Sequence, residues 1–132
     1  MHIGREIIVE DPTTGGKKAS KLCQPHQIPV ESLWALAEHY GKAGGNGEPS
    51  TEKYEPGNWR KGYKWYLSFD AAIRHLWRFW WGEDIDPDTG THHVICAAWH
   101  CMNLYWFWTH KLQFDDRREK SGLPPEEPCT SA

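Results

Sequence analysis

The stretch Trp65-Tyr66-Leu67-Ser68-Phe69-Asp70-Ala71-Ala72-Ile73-Arg74-His75-Leu76-Trp77-Arg78-Phe79-Trp80-Trp81 decides the fold class. Trp65, Phe69, Ala72, Leu76, Phe79 and Trp80 recur every three or four residues, the spacing of one face of an α-helix. A second face carries Asp70, Arg74, Trp77 and Trp81. A helix with large aromatics on two faces is sandwiched between others, so the segment 65–81 belongs to a helical bundle. Gly82 and the acidic run Glu83-Asp84-Ile85-Asp86-Pro87-Asp88-Thr89-Gly90 then break the pattern in a tight loop. Beyond it, residues 91–110 are apolar almost all round (Val94, Ile95, Ala97, Ala98, Trp99, Met102, Leu104, Trp106, Phe107), which suits the centre of a bundle or an oligomer interface.

Upstream, Pro29 stands where a helix favours its first residue, and Leu33, Leu36 and Tyr40 follow on one face. This predicts a third helix over 29–40, ended by Gly41. Residues 41–50, Gly-rich and poor in anything that packs, read as a mobile loop. Residues 1–27 read as a mostly irregular arm, with Ile7-Ile8-Val9 an edge strand at most. Residues 113–132 alternate charge and then become Pro-rich, the composition of a flexible tail. The expected architecture is an all-α, three-helix bundle spanning residues 28–112.

With 132 residues the chain fits one domain, and it carries 15 Lys+Arg against 18 Asp+Glu, a formal charge of -3. A near-neutral, slightly acidic chain lacks the basic footprint of a protein that grips long nucleic acid. No apolar run reaches the roughly 18 residues of a membrane span, and the start Met1-His2-Ile3-Gly4-Arg5-Glu6 lacks a signal-like apolar segment. The 4 cysteines form no CxxC pair and suit reduced thiols, so a cytoplasmic location is expected. The mean hydropathy of -0.75 makes the average residue polar. The apolar material is concentrated in 9 tryptophans, eight of them between Trp59 and Trp108. A lone 15 kDa three-helix bundle cannot cover two helices that are each apolar on more than one face, so the pattern predicts a homo-oligomer. Trp99 and Trp106 are expected on the packing face, opposite His93.

Four constellations bear chemistry. Glu52-Lys53-Tyr54-Glu55 and Glu83-Asp84-Ile85-Asp86 offer carboxylates three apart, able to converge on Mg²⁺ beside a phosphate or to stay on a solvated surface. Asp70 and Arg74, one turn apart, read either as a half-buried structural ion pair or as a metal ligand beside a phosphate grip. His93, Cys96, His100 and Asn103 make a polar stripe on a helix with no other polar face, so the stripe looks into a site, an interface or a network. A zinc site from His93, Cys96 and His100 is disfavoured, because three ligands of one helix rarely close around a tetrahedral metal. Asn58-Trp59-Arg60, with Lys53 and Lys61, offers a ring for a base and cations for phosphates, or else a Trp that caps the core. No GxxxxGK[ST], GxGxxG or GxSxG motif occurs.

The order of these motifs resembles the dATP/dGTP diphosphohydrolase N-terminal-domain family, found mainly in bacteriophages and related to the all-α MazG-like NTP pyrophosphatases. Five segments carry it: Ile28-Pro29-Val30-Glu31-Ser32-Leu33; Lys53-Tyr54 with Asn58-Trp59-Arg60-Lys61-Gly62; Asp70-Ala71-Ala72-Ile73-Arg74-His75-Leu76; Trp81-Gly82 through Thr89-Gly90; and His93 leading into Ala97-Ala98-Trp99. The resemblance implies an oligomeric enzyme that cleaves a deoxynucleoside triphosphate to monophosphate and pyrophosphate with Mg²⁺, or Mn²⁺. Carried onto this chain, Asp70, Glu83, Asp84 and Glu52 are the expected metal ligands and Asp70, Glu83 and His93 the expected catalytic groups. Lys53, Asn58, Trp59, Arg74, His75 and Asn103 are the expected substrate contacts. Two departures stand out: the Gly-rich loop 41–50, and Cys96 where relatives carry a second His. They motivate an alternative, a non-catalytic phage protein that sequesters a nucleotide or a nucleotide-derived signal.

Overall fold

A computed structural model describes residues 6–42 and 57–118. The chain divides into two compact units, with the boundary between Leu33 and Trp34.

The first unit is not irregular. Strand β1 (Ile7–Glu10) pairs antiparallel with β2 (Lys17–Ser20), Ile7 facing Ser20 and Glu10 facing Lys17. Asp11 builds the turn: one carboxylate oxygen accepts from the backbone N–H groups of Thr13 (2.8 Å) and Thr14 (2.9 Å) and from the Thr13 hydroxyl (2.5 Å). These bonds hold the exposed Asp11 carboxyl down at a pKa of about 2. The all-α expectation therefore needs this correction: local turn chemistry closes a hairpin that periodicity alone does not reveal. A 3₁₀ turn at Pro25–Gln27 leads towards helix α1 (Val30–Lys42).

In the second unit a 3₁₀ turn at Asn58–Lys61 precedes α2 (Trp65–Trp80), which packs along α3 (His93–His110). Helix α1 does not stop at Gly41 but runs one residue further, to Lys42. Among the described residues Trp65, Ala72, Cys96, Ala97 and Phe107 are buried, and so are five polar residues, Ser68, Asp86, Thr91, His93 and Asn103. Half of this core is thus polar, and a buried polar group is tolerable only when hydrogen-bonded.

Trp99 and Trp106 are not on an outward packing face. Trp99 meets His39, Tyr40 and His100 at ring separations of 5.8, 5.7 and 4.8 Å, and Trp106 meets Trp59 edge-on at 5.1 Å. The side of α3 that carries them lies well round from His93 but next to Cys96, and it is covered within the chain by His39 and Tyr40 of α1 and by Trp59. The residues after α3 also differ from a free tail as far as Arg118. A 3₁₀ turn at Leu112–Phe114 follows α3, Asp116 accepts from the Tyr66 N–H at the start of α2 (3.2 Å), and the Arg117 guanidinium lies 4.8 Å over the Trp65 ring. Residues 43–56 and 119–132 lie outside the described residues, and with them the loop 41–50 from residue 43 on.

Candidate functional site

The connection from α2 to α3 is a built turn. Gly82, at φ +105°, lets its N–H reach Phe79 O (3.0 Å) while the Glu83 N–H reaches Arg78 O (3.0 Å), a Schellman closure of α2. Ile85 and His92 form an antiparallel bridge, and the Asp86 N–H bonds Thr91 O at 2.9 Å. The loop is drawn back over its own start, which turns Asp86 inwards until it is only 3% exposed. The Asp86 carboxylate accepts from the Asp88 N–H (3.1 Å) and the Thr89 hydroxyl (2.9 Å), with the Arg78 guanidinium 3.9 Å away.

Facing this loop, α3 presents its polar stripe, which is buried at His93, Cys96 and Asn103 and half-buried at His100. His93 uses both ring nitrogens: Nε2 donates to Glu83 Oε1 at 2.6 Å, and Nδ1 lies 2.8 Å from His75 Nδ1 of α2. Glu83 is also 3.5 Å from the Arg78 guanidinium. A carboxylate only accepts, so His93 Nε2–H donates to Glu83; with one proton on that ring, Nδ1 offers a lone pair and His75 donates to it. His75 is thereby held with its proton on Nδ1 and its Nε2 bare.

Further along, His100 bonds Ser68 Oγ (2.9 Å), which bonds the Tyr63 hydroxyl (2.6 Å). From α1, His39 and Lys42 both reach Thr91 Oγ1 at 2.8 Å, and Lys42 also donates to Thr89 O at 3.2 Å. Burial pushes His39 and His100 down to pKa values of about 4, with neighbouring cations and imidazoles adding to it, and burial lowers His75 as well. Near neutral pH His39, His75 and His100 are therefore uncharged, in a site that also holds Lys42, Arg78 and Asp86.

Two turns along α3 from Cys96 the surroundings become aromatic. Tyr40 donates to Asn103 Oδ1 at 2.7 Å, and the Asn103 Nδ2 is fully buried with no partner among the described residues. Around it Tyr40, Trp59 and Trp99 pack edge-on or tilted, and the Arg60 guanidinium lies 4.7 Å over Trp59.

Of the residues singled out from sequence, the structure brings Glu83, His93 and His75 into one chain of bonds and places Asn103 and Trp59 at the aromatic end. Asn58 is half-buried beside Trp59. Asp70 and Arg74 are both exposed and form no ion pair with each other, because α2 turns His75, Ser68 and Ala72 inwards and leaves Asp70 on the solvent side. Asp84 is exposed, so Asp70, Glu83 and Asp84 do not converge. Glu52 and Lys53 lie outside the described residues. Sequence reading missed His39, Lys42 and Thr91, and offered Asp86 only as a carboxylate of the acidic run, outside the expected ligand set. Asp86 carried a signal, an Asp-Pro-Asp-Thr-Gly turn whose first carboxylate bonds its own loop.

The model of the family "dATP/dGTP diphosphohydrolase, N-terminal" matches residues 12–117. A dATP/dGTP diphosphohydrolase of Salmonella phage PMBT28 is 34% identical over 73 residues, 55% of this chain and 25% of that protein. The match thus spans about a quarter of that relative's length. No solved structure matches the chain significantly. The family match covers both helices of the site and the loop that joins them, and the chain belongs to the dATP/dGTP diphosphohydrolase N-terminal family.

Proposed function

We propose that this chain binds a deoxynucleoside triphosphate of the dATP/dGTP kind and hydrolyses it to the monophosphate and pyrophosphate. One observation carries the reading beyond family membership: the orphaned Asn103 Nδ2, a buried donor at the aromatic end of the site. An unsatisfied buried donor costs about 1–3 kcal/mol, and an acceptor on a nucleobase or sugar would remove that cost. Tyr40, Trp59 and Trp99 supply π surface for the base. From Asn103 to His93 the helix rises about 15 Å, which allows the triphosphate to run towards Lys42 and Arg78. Those two cations are placed to neutralise charge on the phosphates as the bond between the α and β phosphates breaks.

The described residues do not fit a resident Mg²⁺ held by Asp70, Glu83 and Asp84. Asp70 and Asp84 are exposed, Glu83 is engaged by His93 and Arg78, and the donors that do converge are not all oxygens. Mg²⁺, or Mn²⁺, belongs in this reading to the triphosphate as it arrives. The Glu83–His93–His75 chain holds the His75 ring and polarises it, as a carboxylate orients the imidazole of a catalytic triad.

Incubation with dATP, dGTP and the other nucleoside triphosphates in Mg²⁺ or Mn²⁺, with product analysis, tests this. Pyrophosphate and monophosphate in equal amounts are expected. Release of orthophosphate with the nucleoside diphosphate would refute the bond assignment. Thermal stabilisation by a nucleotide without turnover would replace the enzyme by a protein that sequesters nucleotides.

A further inference from the structure

We infer that His75, Asp86 and Cys96 form a binding site for a divalent transition metal of the Zn²⁺ class. One ligand atom from each lies within 4.8 Å of the other two, and Asp86 and Cys96 are buried. The three come from α2, the α2–α3 loop and α3, so the site does not depend on three ligands of one helix. A tetrahedral shell with bonds of about 2.0–2.3 Å sets its donors about 3.3–3.8 Å apart, a change small enough for side-chain rotation.

Each donor is prepared in a way that a purely structural network would not need. His75 Nδ1 is taken by the His93–Glu83 chain, leaving Nε2 without a hydrogen-bond partner among the described residues. This is how metal-binding imidazoles are oriented, by a hydrogen bond from the nitrogen that does not coordinate. Among the described residues the Cys96 sulfur has only long hydrogen-bond contacts, 3.7 Å to Thr89 Oγ1 and 3.9 Å to Thr91 O. Asp86 is a buried carboxylate whose nearest cation among the described residues is a guanidinium at 3.9 Å, and a metal would compensate its charge directly. Imidazole, thiolate and one carboxylate favour Zn²⁺, Co²⁺ or Fe²⁺ over Mg²⁺, which wants an oxygen shell. Three protein ligands leave a fourth position open for water, the arrangement of catalytic rather than structural zinc.

The test uses the intact chain, stripped of metal and titrated with Co²⁺ in the absence of nucleotide, so that it stands apart from hydrolysis. One Co²⁺ per chain is expected, with a thiolate-to-cobalt charge-transfer band and the visible bands of a tetrahedral ion, displaced by Zn²⁺. Cys96→Ser should abolish the charge-transfer band and Asp86→Asn should weaken binding at least tenfold, while Cys23→Ser and Cys101→Ser leave the band intact. Absence of the band in the unaltered chain, or its persistence in Cys96→Ser, overturns the site. Should Cys96→Ser fail to fold, His75→Gln decides: it must weaken Co²⁺ binding at least tenfold, and unchanged affinity refutes the proposal.

Discussion

Gly62 is held at φ +87°, and a Cβ there would stand 2.7 Å from the Phe114 ring. Two costs would add in Gly62→Ala, the left-handed backbone and an overlap with the Phe114 ring, with the Lys111 stem 3.1 Å from the same point. We expect a loss of about 1–3 kcal/mol, read as a lowered urea midpoint at unchanged slope. Tyr40→Phe probes the other end of the site. It deletes the hydroxyl that bonds Asn103 Oδ1 and strips that buried amide of its donor, at a cost of about 1–3 kcal/mol. If Asn103 also receives a nucleotide, Tyr40→Phe weakens nucleotide-induced thermal stabilisation as well. A variant as stable as the unaltered chain would mean that water satisfies Asn103.

At the scale of elements, α2 is legible because its apolar residues repeat at the helical period over four turns, α1 from a Pro start with three apolar residues on one face, and α3 from a long apolar stretch without a breaker. Their ends were less so. A single Gly does not stop a helix whose next residue has a tertiary partner, and Lys42, bonded to Thr91, carries α1 past Gly41. Ile7-Ile8-Val9 is legible as an edge strand, but its partner Lys17–Ser20 escaped because it is largely exposed and shows no apolar alternation. The stripe His93–Cys96–His100–Asn103 was visible as polar residues on an otherwise apolar helix. Its partners were not, because His39, His75 and Asp86 reach it from three other segments and only tertiary contact aligns them. That convergence has a consequence for pH. His39 on α1 and His100 on α3 titrate near 4 in the folded chain against about 6.5 when unfolded, and His75 on α2 is displaced in the same direction. Between these values the unfolded chain binds more protons, so stability falls as pH drops from about 6.5 to 4. A pKa lowered by one is worth about 1.4 kcal/mol per residue at most; discounted for partial exposure, we expect a loss of about 2–4 kcal/mol in all. Urea midpoints at pH 7, 6 and 5 check this, and His100→Asn should flatten the slope. A profile level across that range would show the imidazoles to be solvated.

On the whole molecule, the tryptophan excess divides in two. Trp59, Trp65, Trp99 and Trp106 are drawn inwards, whereas Trp80 and Trp81 are 84% and 83% exposed, alongside Phe69, Leu76 and Trp77 on α2 and Tyr105 and Trp108 on α3. Phe69, Leu76 and Trp80 follow one another along one side of α2, and Cys101, Tyr105 and Trp108 along one side of α3, so the exposed rings form stripes and not isolated residues. Monomeric proteins rarely leave contiguous apolar patches larger than a few hundred Å² in water. Each of these rings buries about 150–250 Å² when covered, at about 25 cal/mol per Å². Covering three or four from each side is enough to hold two chains together after the cost of association. We therefore expect a second copy to cover these stripes. Light scattering behind size exclusion should give at least twice the 15.3 kDa of one chain, and Trp80→Glu with Trp81→Glu should lower the mass to that of one chain. The helical content and the Co²⁺ spectrum should survive the double substitution, because both side chains point into solvent and neither is a metal ligand. An unaltered chain that elutes at 15.3 kDa across the micromolar range would refute self-association.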